Sequence, residues 1–183
     1  MRQYEVIVIG GGHAGCEAAH ASARFGVKTL LLTMKIETIG QMSCNPAIGG
    51  IGKSHLAREI DALDGLMCKI ADNSALQRRT LNSRKGPAVR ATRIQTCRNA
   101  YKRNMQKAMQ EEESLDITQS TVSELIVKNN EIKGVITEHG EKIYGNCVIL
   151  TAGTFLGGRI HIGQKSFEAG RSGDKAANEL EKF

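Results

Sequence analysis

Six residues near the amino terminus have the types and spacing of a phosphate-binding turn. They form a G-x-G-x-x-G motif between an apolar, β-branched run at 4–9 and an alanine-rich run at 13–25. Such glycines allow a tight turn and a close approach of the main chain to a pyrophosphate, whose charge then lies at a helix N-terminus. This context favours dinucleotide binding over an ordinary glycine-rich connection. The candidate cofactor-binding residues are Gly10, Gly11, Gly12, His13, Ala14 and Gly15.

The acidic residue that usually completes this motif is missing. It is expected about 20 residues further on, at the end of the second strand, to bind the ribose hydroxyls. Thr33 occupies that place, and its hydroxyl offers a weaker hydrogen bond than a carboxylate would. Glu37 could substitute only if the following loop folds back. Ribose recognition is therefore left open by the sequence.

The elements around the motif are those of an α/β nucleotide-binding fold. Residues 4–33 predict a strand, a turn, a helix and a second strand parallel to the first, with Gly26 ending the helix. Beyond residue 115 the pattern alternates, and it predicts an antiparallel meander. Its strands are expected at 116–119, 122–127, 132–137 and 142–150.

The last predicted strand runs into Thr151-Ala152-Gly153. A meander that returns to a T-x-G segment resembles the two-part fingerprint of FAD-binding flavoproteins of the glutathione-reductase superfamily. This favours FAD over NAD and makes Gly153 a further candidate ligand.

The middle of the chain is expected to be a loop followed by helices. Residues 40–52 contain four glycines and a proline, so they predict an irregular loop. A helix is predicted to follow, with Leu56, Ile60 and Leu63 on its apolar face, and a longer helix is predicted over 91–112.

The positive charge of the chain is concentrated in one segment. Residues 73–110 contain ten of the 25 Lys and Arg residues and none of the 19 Asp and Glu residues. Three interpretations remain open: a solvated helix face, contacts to cofactor phosphates through Arg90 or Arg93, and contacts to nucleic-acid phosphates. Tyr101 is the segment's single aromatic residue, which argues against a base-stacking surface.

Composition excludes several classes of protein. The 183 residues are 40% hydrophobic and 24% charged, which is typical of a globular domain. No apolar run reaches the ~20 residues of a membrane span, and no secretion signal is visible at the amino terminus. Five scattered cysteines without C-x-x-C spacing predict neither disulfides nor a metal site, and they indicate a reducing cytoplasm. Four of these cysteines are expected in the core, namely Cys16, Cys68, Cys97 and Cys147.

Four longer motifs resemble the MnmG (GidA) family. They are GQMSCNPAIGGIGK at 40–53, EIDAL at 59–63, KGPAVRATR at 85–93 and GTFL at 153–156, and the resemblance extends over 4–174. It implies an α/β, Rossmann-like FAD-binding domain with a helical insertion and a β-meander. The 183 residues would be its truncated N-terminal part, with a dinucleotide unit at 4–33, an insertion at 40–112 and the meander and return strand at 115–155. The C-terminal domains of the family would be absent.

The resemblance also implies an activity. Members of the family use FAD and NADH, with a GTPase partner (MnmE) and a methylenetetrahydrofolate-derived carbon, to add an aminomethyl or carboxymethylaminomethyl group to C5 of the wobble uridine of tRNA. A cytoplasmic homodimer or heterotetramer is implied, with no membrane association. Val122 matches a position near the adenine of FAD, whereas the NADH site would lie in the absent region. The fragment alone is expected to be inactive.

Cys44 is the candidate catalytic residue. It matches a cysteine that the family is suspected of using, and a thiolate is the usual reagent for adding to C6 of uracil. Lys53 and the start of a predicted helix follow it in the sequence. The alternative role for Cys44 is that of a small buried apolar side chain.

Two other functions remain as alternatives. One is a flavin-dependent oxidoreductase of the fumarate-reductase type that acts on a small acid, which the loop at 43–46 disfavours. The other is a non-enzymatic nucleic-acid-binding module, which only the charge supports.

Overall fold

The computed structural model describes residues 3–181, and the chain divides into two units. Residues 37–112 form one unit, and the chain before and after them forms the other. The elements are β1 (Gln3–Ile9), α1 (His13–Arg24), β2 (Thr29–Thr33), β3 (Ala47–Gly49), α2 (Lys53–Ala62), α3 (Leu66–Asn73), β4 (Ala75–Leu81), β5 (Ala91–Thr96), α4 (Arg98–Gln110), β6 (Leu115–Gln119), β7 (Val122–Lys128), β8 (Glu131–Thr137), β9 (Lys142–Leu150), β10 (Arg159–Ile162), β11 (Lys165–Glu168) and α5 (Asn178–Glu181).

The unit formed by the chain before residue 37 and after residue 112, called the first unit below, is built on a six-stranded sheet. The strand order of this sheet is β6-β2-β1-β9-β8-β7. Strands β6, β2, β1 and β9 are parallel, which confirms the predicted strand–helix–strand unit. Strands β7, β8 and β9 form the predicted antiparallel meander. The strand predicted at 116–119 is not part of that meander. It is β6, which pairs in parallel with β2 because the chain enters it from residues 37–112 and not through a hairpin.

Strands β1 and β2 supply the core of this sheet. All five residues of β2 are buried, as expected for a parallel strand that is covered on both faces. In the register of the sheet Ile7 lies beside Leu30 and Ile9 beside Leu32. These four side chains belong to one buried cluster, which Val122, Val135 and Ile143 of the meander extend.

Helix α1 follows β1 and buries the face that carries Cys16, Ala19 and Ala23, whose spacing of three to four residues is helical. It ends at Arg24 with Phe25 as its C-cap, and Gly26 then takes φ +75°, as predicted for a glycine after a helix.

The second unit, residues 37–112, contains a small antiparallel sheet that the sequence did not predict. Its strand order is β3-β5-β4. Residues 91–96, predicted as the start of a long helix, are strand β5 and pair with β3 and β4 on either side. The β-branched residues Thr92, Ile94 and Thr96 are compatible with the strand, which β3 and β4 stabilise by pairing with it. Helix α4 begins only at Arg98 and buries Tyr101, Met105 and Met109.

The apolar face predicted for α2 is wrong. Leu56 and Leu63 are 62% and 75% exposed, whereas Ser54 and Ala57 are buried. The hydroxyl of Ser54 accepts a hydrogen bond from the Gly50 amide and donates to the carbonyl of Thr92, which turns the small-residue face inward.

Asp174 accepts hydrogen bonds from Lys35 at 2.6 Å and from Arg171 at 2.7 Å, and these two cations hold the pKa of its carboxyl below the usual value.

Cys16 is buried as predicted, but Cys147 is exposed and is not a core residue. Among residues 3–181, no helix is long and apolar enough to cross a membrane, and no cluster of side chains could hold a metal ion.

Candidate functional site

Gly10 turns the chain at the end of β1. Its φ of +110° disfavours other residues, and its amide donates to the Leu32 carbonyl at 2.8 Å. A Cβ at this position would lie 2.6 Å from the carbonyl oxygen of Thr151. The turn therefore requires glycine both for its conformation and for its packing.

Gly15 and Gly12 have different roles from Gly10. A Cβ on Gly15 would lie 1.7 Å from the Gly10 carbonyl oxygen, so glycine there allows α1 to pack against the turn. Gly12 has φ −73°, and a Cβ there would meet no atom within 4 Å. The first and third glycines are thus fixed by the fold, whereas the second borders open space. This is the arrangement in which a main chain can approach a pyrophosphate.

The amino terminus of α1 presents amide donors beside Gly12. The first hydrogen bond of the helix runs from the Cys16 amide to the Gly12 carbonyl at 2.9 Å, which places the amides of the first turn at the helix N-terminus. No acidic side chain lies in the first turn, and no side chain caps the helix. The positive end of the helix dipole is therefore available to an anion.

His13 contributes an imidazole to this turn. Burial lowers its pKa below the ordinary value, and the charge of Glu17 offsets part of that effect. The side chain is consequently neutral near pH 7, and the positive potential at the turn comes from the main-chain amides.

Thr151 holds the turn in place, and the sequence analysis did not select it as a site residue. Its amide donates to the Ile9 carbonyl at 2.9 Å, and its hydroxyl lies 2.8 Å and 3.1 Å from the carbonyl oxygens of Ile9 and Gly10. The sequence signal for Thr151 is the T-x-G pattern, in which the predicted ligand is Gly153. Gly153 begins a 3-10 turn with φ +56°, and a Cβ there would also meet no atom within 4 Å.

Val122 and Thr33 lie where the chain passes the end of β2. The Ser120 amide donates to the Thr33 carbonyl at 2.9 Å, and Val122 then begins β7 with a buried side chain. The Thr33 side chain is buried as well. Any ligand contact at Val122 must therefore come from its main chain. Glu37 lies in a separate 3-10 turn, where its carbonyl accepts from Gln106.

Cys44 is exposed in an irregular loop before β3, which excludes the role of a buried apolar side chain. Arg98, the first residue of α4, donates to the Met42 carbonyl at 3.0 Å and to the Cys44 carbonyl at 2.5 Å. The Thr96 amide donates to the Pro46 carbonyl at 2.8 Å. The loop that carries the thiol is thus fixed by the junction of β5 and α4. No local sequence pattern indicates these contacts of Arg98, because their acceptors lie 56 and 54 residues away in the sequence.

Replacing Arg98 with alanine should loosen the Cys44 loop, because two loop carbonyls lose their donor. We expect the free energy of unfolding to fall by about 1 kcal/mol. Amide hydrogen exchange should become faster at Thr96, whose acceptor lies in the loop. Arg103→Ala is the control, since Arg103 is an exposed residue of the same helix. Equal protection of Thr96 in both variants would show that Arg98 does not hold the loop.

The ten basic residues of 73–110 do not form one helix face. They are distributed over β4, β5, α4 and the connection between the two strands. Arg78 pairs with Asp72 at 3.0 Å, and Lys107 pairs with Glu111 at 3.7 Å. The side chain of Arg90 donates to the Lys85 carbonyl at 2.8 Å. Part of the charge is therefore neutralised locally or used to hold the chain.

Comparison with known proteins identifies the family. The sequence model of the family described as Glucose inhibited division protein A matches residues 5–183. The chain belongs to the GidA family. Two crystal forms of GidA from Aquifex aeolicus match the structure with a TM-score of 0.94 and 48% sequence identity. The match covers 99% of this chain and 30% of the Aquifex GidA chain, so the chain spans less than a third of that relative.

More distant structures share the fold. The GidA-related protein from Thermus thermophilus matches with a TM-score of 0.65 at 21% identity, covering 98% of this chain and 66% of that one. PqsL from Pseudomonas aeruginosa, described as a probable FAD-dependent monooxygenase, matches with a TM-score of 0.58 at 13% identity over 80% of this chain and 42% of its own. These matches, with those to GidA, confirm the predicted α/β fold of FAD-dependent enzymes.

Proposed function

We propose that this GidA chain forms the part of a tRNA-modifying flavoenzyme that binds the diphosphate of FAD. The observation that carries the proposal is the contrast between the three glycines of the turn. Gly10 and Gly15 are closely packed, whereas Gly12 borders open space at the amino terminus of α1. Family membership and the fold shared with a probable FAD-dependent monooxygenase support a flavin dinucleotide as the ligand.

The binding residues follow from this placement. The main chain of Gly11 and Gly12 and the amides of His13, Ala14 and Gly15 would hold the diphosphate, since they line the helix N-terminus. Val122 would contact the adenine through its main chain, and Gly153 would allow the cofactor to approach the end of β9. Bound FAD would supply the oxidation–reduction chemistry of the enzyme.

The substrate that we propose is the wobble uridine of tRNA, and Cys44 is the proposed nucleophile. Addition of its thiolate to C6 would form an S–C6 bond and move the electrons of the C5–C6 double bond towards the O4 carbonyl. C5 would then form a bond to the methylene carbon of the folate-derived unit, while the bond from that carbon to one folate nitrogen breaks and its electron pair stays on the nitrogen. Loss of the C5 proton and departure of the thiolate would restore the double bond. The exposure of Cys44 supports this role, because the thiol is open to a macromolecular substrate.

Further components belong to the whole protein. NADH, the methylenetetrahydrofolate-derived carbon and a GTPase partner would act with segments outside the 30% of the Aquifex GidA chain that this chain covers. A cytoplasmic homodimer, or a heterotetramer with the partner, is part of the same proposal.

Purification of the full-length protein tests the function. We expect flavin absorbance in the purified protein, and modification of the wobble uridine when FAD, NADH, the one-carbon donor, the GTPase partner and unmodified tRNA are supplied. Nucleoside analysis of the tRNA by mass spectrometry measures the product. A colourless protein that takes up no flavin would contradict the cofactor assignment. Flavin without any change in the tRNA would contradict the substrate assignment.

A further inference from the structure

Arg79 on β4 and Arg93 on β5 lie directly opposite each other in the sheet of the second unit. Directly opposite side chains project from the same face of an antiparallel pair, and like charges there destabilise the sheet. Arg79 is exposed and Arg93 is half-buried. Neither guanidinium has an ion-pair or hydrogen-bond partner within residues 3–181. The fold therefore holds two positive charges together without neutralising them.

The surroundings of the two arginines on this face are polar and open on one side, whereas the apolar pair Leu81 and Ala91, with Ala91 buried, lies on the other side. Gln77 and Gln95, the next pair on the same face, are both exposed. On the other side of Arg93 the neighbouring residue of β3 is Gly49, which has no side chain to cover the guanidinium. Amide and guanidinium groups without apolar residues between them suit a polar, anionic ligand.

The opposite face of the same sheet is used for packing. Arg78 lies there opposite Ile94, with its guanidinium on Asp72. Arg58 of α2 donates to the hydroxyl of Thr92 at 3.2 Å, which places this helix on the same side. Adjacent arginines of one strand thus differ in role, because Arg78 is paired and Arg79 is not.

We propose that the face with Arg79 and Arg93 binds phosphates of the RNA substrate. This deepens the proposed function and rests on its assignment of tRNA as the substrate. Guanidinium groups match the geometry of phosphate oxygens, and residues 73–110 contain no carboxylate that would repel the RNA. Such contacts position the RNA backbone and carry no sequence information.

The test is the salt dependence of tRNA binding by the full-length protein. Removing one arginine–phosphate contact should reduce the slope of log K against log salt by about 0.7 to 0.9. Arg79→Ala and Arg93→Ala should each lower affinity roughly five-fold near about 0.15 M salt, and the double variant should show both losses. Arg78→Ala is the matched control, and its slope should equal that of the wild type.

Arg79→Glu separates binding from folding. A glutamate opposite Arg93 replaces a repulsive pair with an attractive one, so the thermal midpoint should stay the same or rise. The same change should weaken tRNA binding more than Arg79→Ala does. A merely structural role for Arg79 would lower the midpoint and would leave the salt slope unchanged.

Flavin content and wobble modification are measured on the same samples. A wild-type protein that modifies tRNA, with an unchanged slope in the double variant, would overturn the phosphate-binding face and leave the proposed function intact. If Arg78→Ala reduced the slope of log K against log salt by the same amount, the proposed phosphate-binding face would also be overturned. The reduction would then come from the lower net charge of the protein and not from a specific contact. A wild-type protein that neither binds nor modifies tRNA would overturn both proposals.

Discussion

Replacing Gly12 with alanine is expected to leave the apoprotein folded and to remove its flavin. The backbone at Gly12 has φ −73°, which alanine adopts, and the added Cβ meets no protein atom within 4 Å. The methyl group would instead occupy the space proposed for the diphosphate and displace it from the amides of α1. Loss of two charge-assisted hydrogen bonds should weaken FAD binding about 10²-fold or more. Flavin absorbance and titration of the apoprotein with FAD measure the effect.

Gly140→Ala is a stringent control for this experiment. Gly140 lies in the turn between β8 and β9 with φ +77°, a conformation that alanine tolerates poorly. The control variant should therefore be less stable than Gly12→Ala and still retain its flavin. If Gly12→Ala binds FAD with wild-type affinity, the diphosphate does not lie at this turn.

Replacing Cys44 with serine in the full-length protein should abolish tRNA modification. A hydroxyl of ordinary acidity cannot replace a thiolate in the addition to C6, so the rate should fall by roughly 10³-fold or more. The flavin should remain bound, because Cys44 lies outside the residues proposed to hold it. Product formation under single-turnover conditions and the flavin spectrum give the two readings.

Cys147→Ser is the matched control for the thiol. Cys147 is the other exposed cysteine in residues 3–181, and it lies on β9. Its substitution should leave the rate of modification unchanged. Normal turnover of Cys44→Ser would exclude Cys44 as the nucleophile, and an equal loss in both variants would point to a general effect of thiol removal.

The parallel unit of β1, α1 and β2 and the turn at Gly10 could be predicted because their signals are local. An apolar strand, three spaced glycines and an alanine-rich helix follow one another within 30 residues. The periodicity of 122–150 indicated the meander for the same reason. The family motifs around Cys44 could be recognised without any knowledge of the loop's conformation.

The features that the sequence did not predict depend on contacts between distant residues. Strand β5 exists because β3 and β4 pair with it on both sides, whereas its residues alone also fit a helix. The buried face of α2 is set by Ser54, which bonds to Thr92. Thr151 reaches Gly10 across 141 residues, and Arg98 reaches Cys44 across 54. No local pattern reports such pairings.

The parallel pairing of β2 with β6 limits which residues can be deleted to make a shorter version of this protein. The two strands are adjacent and parallel, with Thr29 beside Leu115 and Thr33 beside Gln119. A parallel neighbour cannot be reached through a hairpin and needs a crossover connection of about a dozen residues or more. The stretch with Cys44, Arg79 and Arg93 is that crossover. A shortened form of this domain must therefore replace this stretch with another crossover connection, because simple deletion would leave β6 unable to pair in parallel with β2.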